Sequence, residues 1–279
     1  MIKEEIKKVV RERYARIVKQ DSSCCGTIES SCGNSNSTQE ISKEIGYSEE
    51  VLKAVPEDSN LGLGCGNPVA LASLNEGETV LDLGSGAGFD CFLAANKVGK
   101  NGRVIGVDMT PEMIEKAREN ARKGNYENIE FRLGEIENLP VDDNSVDVVI
   151  SNCVIVLSPD KRKVFSEAFR VLKPDGRLMI SDIVLLRRLP DFIKNSIEAY
   201  IGCVSGAITK NEYLREIEDA GFHAVKIIEE ISFGIEHLTS NSTVKVIIDK
   251  FKIPPEKVKE IASSILSIKA YGTKPLEMR

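Results

Sequence analysis

Apolar residues along this chain follow two alternating periods. Short runs, TVLDLG from Thr79, RVIGVD from Arg103, IEFRLG from Ile129, VDVVISN from Val146 and RLMISDI from Arg177, have the length and content of buried strands. The stretches between them space their apolar residues as helices do, at about 88–98, at 111–123 behind Thr110 and Pro111, and at about 160–171. Strand and helix therefore alternate from about 69 to 183, which predicts a doubly wound parallel sheet of the α/β class. The turn Pro174-Asp175-Gly176 introduces the last of these strands.

The flanks read differently. Residues 1–19 place Ile2, Ile6, Val9 or Val10, Tyr14 and Ile17 on one side of a helix, and the balanced charges around them read as a solvated face on a structural element. Residues 21–38 are Ser, Gly, Asn and Cys with one large apolar residue, Ile28, and read as a loop. Ser48 caps a short helix that ends before Pro56, and 57–68 form a second glycine-rich loop. Past the alternating region, helices are expected at about 190–202 and 209–220, the second behind a capping box from Thr209 to Glu212. HAVKIIEEI and SIKAYGTK then read as strands around a largely helical stretch at 240–263. The chain divides into 1–68, helices and cysteine-rich loops; 69–185, a Rossmann-like core; and 186–279, an α+β extension completing the sheet.

Composition narrows the partners. A length of 279 residues with 42% hydrophobic content suffices for a full core. No run reaches the ~18 apolar residues of a membrane span, and the mixed-charge start IKEEIKKVVRERY is unlike a secretion leader, so no membrane is expected and the cytoplasm is. Lys and Arg number 37 against 43 Asp and Glu, with no basic block, which argues against nucleic acid. Seven cysteines then read as thiols rather than a disulfide framework, and His223 and His237 sit in no motif.

The strand from Val80 stops at Gly84, Gly86 and Gly88, where backbone without a Cβ lets a ligand approach closely. Twenty residues past Gly88, Asp108 ends RVIGVD, in position to accept ribose hydroxyls. A dinucleotide loop needs G-x-G-x-x-G, and Phe89 occupies its last position here. The spacing suits a nucleoside cofactor without a pyrophosphate, for which S-adenosylmethionine is the common case. Asp82 and the Gly84-Ser85-Gly86-Ala87-Gly88 backbone should face its methionine part.

The order VLDLGSGAGFD, VIGVDMTPEMIEKAREN, GEIENLP and VLKPDGRLMISDI resembles class I S-adenosylmethionine-dependent methyltransferases over about 69–185. NLGLGCGNP around Cys65, VVISNCVIVLSPDK around Cys153 and AYIGCVSGAI around Cys203 resemble the arsenite methyltransferases within them. The resemblance implies a Rossmann-like sheet and a methyl transfer that detoxifies arsenic. In it Cys153 and Cys203 hold trivalent arsenic, while Cys65 shares in binding and in later thiol–disulfide exchange. It also implies that Met109 covers the adenine and that Glu135, Ile136 and Glu137 border its edge. A further family cysteine corresponds to Cys32 or to the Cys24-Cys25 pair. The substrate would be an arsenite–thiol complex, and thioredoxin or a small thiol would recycle the cysteines.

Soft, three-coordinate arsenic suits thiolates, and its lone pair carries no proton, so no general base is needed. Gly64 and Gly66 read as flexibility for Cys65 to swing in, and Cys91 as a core residue. Two other readings stay open: a methyltransferase on a small organic acceptor such as a quinone precursor, and a non-catalytic metalloid-binding thiol protein. A zinc site lacks its C-x-x-C pair.

Overall fold

Seven strands form one sheet in the order β3-β2-β1-β4-β5-β7-β6. They are β1 (Thr79–Leu83), β2 (Arg103–Asp108), β3 (Ile129–Leu133), β4 (Val146–Asn152), β5 (Leu172–Leu185), β6 (His223–Ser232) and β7 (Ile265–Thr273). The computed structural model describes residues 3–21, 42–43, 46–71, 73–194, 200, 205–232, 248 and 252–276. The first five strands pair in parallel, and β7 runs antiparallel between β5 and β6.

The helices are α1 (Lys3–Asp21), α2 (Glu49–Lys53), α3 (Pro68–Leu71), α4 (Phe89–Val98), α5 (Pro111–Lys123), α6 (Lys161–Val171), α7 (Asp191–Lys194), α8 (Lys210–Asp219) and α9 (Pro255–Ala262). Their starts follow local chemistry. Pro111 opens α5 with its φ preset, and Thr209 and Glu212 close a reciprocal capping box on α8. Because β1, β2 and β4 are covered on both faces, their side chains are mostly buried.

One core lies under α6 and α8, where Phe165 meets Tyr213 edge to face at 5.4 Å between centroids, a geometry that adds ~0.5–1.5 kcal/mol to their burial. A second, around Phe92, Ile114 and Phe131, lies under α4 and α5. A third gathers at the C-terminal rim of the parallel strands and joins Val10 of α1 to Cys65, Cys153, Tyr200 and Ile253.

The strand expected from Arg177 begins earlier, at Leu172. Pairing with β4 skips from Leu172 to Arg177, so Pro174-Asp175-Gly176 is a bulge rather than a terminal turn. Backbone bonds between this bulge and Lys274, just past β7, keep the strand continuous (Asp175 N to Lys274 O, 2.9 Å; Lys274 N to Gly176 O, 2.8 Å). Among the described residues no helix is long and apolar enough to cross a membrane.

Candidate functional site

Strand order reverses between β1 and β4, and in such sheets a crevice opens beyond the carboxyl ends of the two strands. After β1 the chain turns at Gly84, φ 68°, and the amides of Gly84 and Ser85 both donate to the Val107 carbonyl, at 2.7 and 3.0 Å. A Cβ on Gly84 would sit 2.4 Å from Val154 Cγ2, so the glycine is needed for the loop to pass the end of β4. Asp108 is pinned beneath the loop, accepting from Gly86 N at 3.0 Å and Thr110 N at 2.8 Å. The resulting cleft holds about 1130 Å³, its solvent-open mouth included, the scale of a small-molecule site.

Acidic groups dominate this half. Asp82, Asp90 and Asp108 all border the cleft. Burial, reinforced by the charges of Asp90 and Asp108, pushes the Asp82 carboxyl well above the usual range. Burial raises Asp90 to about 6 against the opposing hydrogen bonds from Asn152 and Tyr47, and it raises Asp108 as well. Neighbouring carboxylates that resist ionising together form a receptor for a cation. The Ser85 hydroxyl, in the same wall, is buried with no hydrogen-bond partner among the described residues. An orphaned hydroxyl, three carboxylates and a backbone cradle fit the nucleoside cofactor with a cationic end that the sequence implies.

α1 closes one side. Lys7, Val10 and Tyr14 line the cleft, and Lys7 Nζ lies 2.6 Å from Glu135 and 3.5 Å from Glu137. Burial opposes the Lys7 charge, but the two glutamates outweigh it and raise its pKa. Arg11 reaches Glu135 at 3.4 Å, and Lys3 pairs with Asp160 at 2.6 Å. The helix that reads as structural in the sequence is thus part of the cleft wall.

Across the crevice lies a pair of thiols. Cys153 follows β4 directly, has φ 58° and is 6% exposed; Cys65 is 7% exposed. A left-handed conformation costs a non-glycine residue ~1–2 kcal/mol, and strain of this kind collects at functional sites. The Sγ atoms of both cysteines and a carboxylate oxygen of Asp182 lie within 4.8 Å of one another. Asp182, on β5, is fully buried and accepts from the Tyr213 hydroxyl at 2.8 Å and from Ile183 N at 2.9 Å. Burial raises it to about 6, partly offset by those bonds and by the Lys161 charge.

Asn152 ties the halves together. Its Oδ1 accepts from Cys65 N at 3.0 Å, and its Nδ2 donates to Gly66 O at 2.8 Å and to Asp90 Oδ2 at 2.9 Å. The Tyr47 hydroxyl donates to the other Asp90 oxygen at 2.7 Å. The Cys65 loop is therefore held, contrary to the swing expected from its glycines. A Cβ on Gly66 would meet Ser181 Oγ at 2.6 Å, so this glycine permits close docking against β5 rather than motion.

The structure brings Asp82, Gly84, Ser85, Gly86, Asp108, Met109, Ile136, Glu137 and Cys153 to one cleft, with Cys65 beside Cys153. Gly88 instead packs against Phe131 and Phe92, and Glu135 faces α1. Cys91 is buried as expected and donates its thiol to Asp82 at 3.2 Å. Cys203, Cys24, Cys25 and Cys32 lie outside the described residues. Sequence reasoning missed Tyr47, Asp90, Asp182 and α1. For Asp182 a signal existed, since an acidic residue inside the apolar run LMISDIVL must be buried with partners.

A family model described as a methyltransferase domain matches residues 74–221. The chain is 51% identical over 230 residues to an arsenite methyltransferase of Halobacterium salinarum, covering 80% of this chain and 59% of that protein. It is 41% identical to one of Aquipseudomonas alcaligenes, covering 64% of this chain and 54% of the relative. The chain thus spans little more than half the length of these relatives. Among solved structures, the arsenic(III) S-adenosylmethionine methyltransferase of Chlamydomonas reinhardtii superposes with a TM-score of 0.64 at 32% identity, over 85% of this chain and 74% of that one.

Proposed function

The chain belongs to the arsenite methyltransferase family of class I methyltransferases, and from that premise we propose that it methylates trivalent arsenic, using S-adenosylmethionine as donor. The observation that carries this reading is a pair of buried thiols, one of which, Cys153, lines an acidic nucleoside cleft. Storage of a metalloid would need the thiols without the cleft, and a carbon or oxygen acceptor would need the cleft without the thiols.

S-adenosylmethionine, when bound, supplies a methyl group activated by its sulfonium charge. Asp82 and the Gly84–Gly86 backbone would hold its methionine end, and Asp108 its ribose. Met109, Ile136 and Glu137 would surround the adenine. Arsenite arrives as a thiol complex and exchanges onto Cys153 and Cys65, with Cys203 as the further ligand that the family resemblance implies. Cys153 borders the cleft, so arsenic held there would lie beside the donor. Fixing that geometry is a large part of the catalysis, since orientation can supply up to ~7–11 kcal/mol in favourable intramolecular reactions. No base is needed.

Transfer leaves arsenic oxidised by two electrons. Two cysteine thiolates return them by coupling to a disulfide, which thioredoxin or a small thiol then reduces. Thiols used in this way suit a reducing compartment, and we assign the protein to the cytoplasm.

The test is to incubate the protein with arsenite, S-adenosylmethionine and a thiol, and to look for methylated arsenicals by mass spectrometry. Methylarsenite is the expected first product. Folded protein that binds the cofactor yet forms no methylated arsenic would overturn the reading.

A further inference from the structure

We infer that Asp182 is a catalytic residue of this reaction, its carboxylate receiving the positive charge that methyl transfer deposits on arsenic; the inference rests on the function proposed above. Charge balance in the transfer sets the requirement. The arsenic lone pair forms the arsenic–carbon bond while the carbon–sulfur bond of the donor breaks, and the bonding pair leaves with the donor sulfur. Arsenic in a neutral thiolate complex thus becomes a cation, and the donor sulfur becomes neutral. Catalysis requires a negative group nearer to the place where charge arrives than to the place it leaves.

Asp182 stands in that relation. Its carboxylate lies within 4.8 Å of the sulfurs of both Cys65 and Cys153. Among the described residues Cys153 lines the donor cleft whereas Cys65 and Asp182 do not, so the Cys153 thiol is nearer the donor and the carboxylate stands behind it. Asp82, Asp90 and Asp108 border the cleft and so favour the charge while it is still on the donor. Asp182 favours it after transfer. The group is also preorganised: the Tyr213 hydroxyl and Ile183 N fix its two oxygens, and it is 0% exposed, so water screens it little. A carboxylate buried this completely in a strand is costly to the fold, and the hydrogen bonds it accepts together with the Lys161 charge offset that cost only in part. The cost is explained if its charge is used.

The experiment compares the parent with Asp182→Asn, which keeps the shape and can still accept from Tyr213. Arsenite and cofactor affinities are measured by equilibrium dialysis, and methyl transfer by single-turnover quench. A third readout needs no turnover: the ratio of labelling rates at Cys153 by cationic and anionic methanethiosulfonates, resolved by peptide mass spectrometry. Expected for Asp182→Asn are affinities within about threefold of the parent, a transfer rate lower by on the order of 100-fold, and a cation preference at Cys153 that falls severalfold. Asp182→Glu retains the charge and should recover much of the rate, which also covers the case of an Asn variant that fails to fold. A variant rate within threefold of the parent, with an unchanged labelling ratio, would overturn the inference. If the parent forms no methylated arsenic the proposed function fails instead, and the labelling ratio alone then decides whether Asp182 charges the thiol site.

Discussion

The backbone amide of Cys65 donates to the side-chain oxygen of Asn152 at 3.0 Å, across 87 residues of sequence. The amide nitrogen of the same side chain reaches Gly66 O and Asp90, and the next residue is Cys153. One side chain therefore holds one thiol loop, adjoins the second thiol and touches a carboxylate of the cofactor cleft. Asn152→Ala removes the bonds that this side chain makes to the Cys65 amide, to Gly66 O and to an Asp90 oxygen. Each such loss costs about 1–3 kcal/mol, so thermal unfolding should come several degrees earlier. Arsenic methylation should fall by more than tenfold while cofactor affinity changes less, a split readable from turnover and calorimetry on one preparation.

Cys153 combines a reactive group with a backbone conformation that favours glycine. Cys153→Gly should consequently be more stable than Cys153→Ala, by about 1 kcal/mol, with neither variant transferring methyl groups to arsenic. Denaturant titration of the two variants measures this difference, and equal midpoints would show that the left-handed turn stores no strain.

Acid should weaken cofactor binding. Asp90 titrates at about 6 and Asp82 is also displaced upward, so protons compete with a cationic ligand for these carboxylates as the pH falls through 6. Affinity for S-adenosylmethionine should drop severalfold between pH 7.5 and 5.5. S-adenosylhomocysteine, which lacks the sulfonium charge, should lose less. Calorimetry across that range reads both, and parallel curves would remove the carboxylates from sulfonium recognition.

Lys7 joins α1 to the loop after β3 through Glu135 and Glu137, and its side chain is only 12% exposed. Lys7→Met keeps the bulk and removes the charge, leaving the buried Glu137 with its bond from Ser158 at 2.6 Å but without its cation. The N-terminal helix should then be cleaved faster by proteases, and S-adenosylmethionine should bind severalfold more weakly. Limited proteolysis with and without the cofactor checks both.

The parallel core was legible because its evidence is local. Thr79–Leu83 is apolar enough for a central strand, Gly84 to Gly88 mark its end, and Thr110 with Pro111 opens the next helix. What stayed hidden depends on long-range proximity. Nothing near Lys7 announces Glu135, 128 residues away, so α1 read as packing alone. Nothing beside Gly64 and Gly66 reveals that Asn152 and Ser181 press against them, so a held loop read as a mobile one. The thiol contexts named Cys153 and Cys65 individually, whereas the Asp182 carboxylate on β5 is seen to lie beside them only once β4 and β5 are paired, Asn152 beside Ser181.

In the proposed reading the acidic cleft and the thiol pair form a single site. This is tested most directly by loading the protein with arsenite, removing free arsenic, and mixing with deuteromethyl-labelled S-adenosylmethionine in an excess of a competing dithiol. The prediction is deuteromethyl arsenic formed faster than preloaded arsenic exchanges into the dithiol, in the parent and not in Cys153→Ser. Label appearing only after arsenic has left the protein, or equally in both proteins, would contradict it.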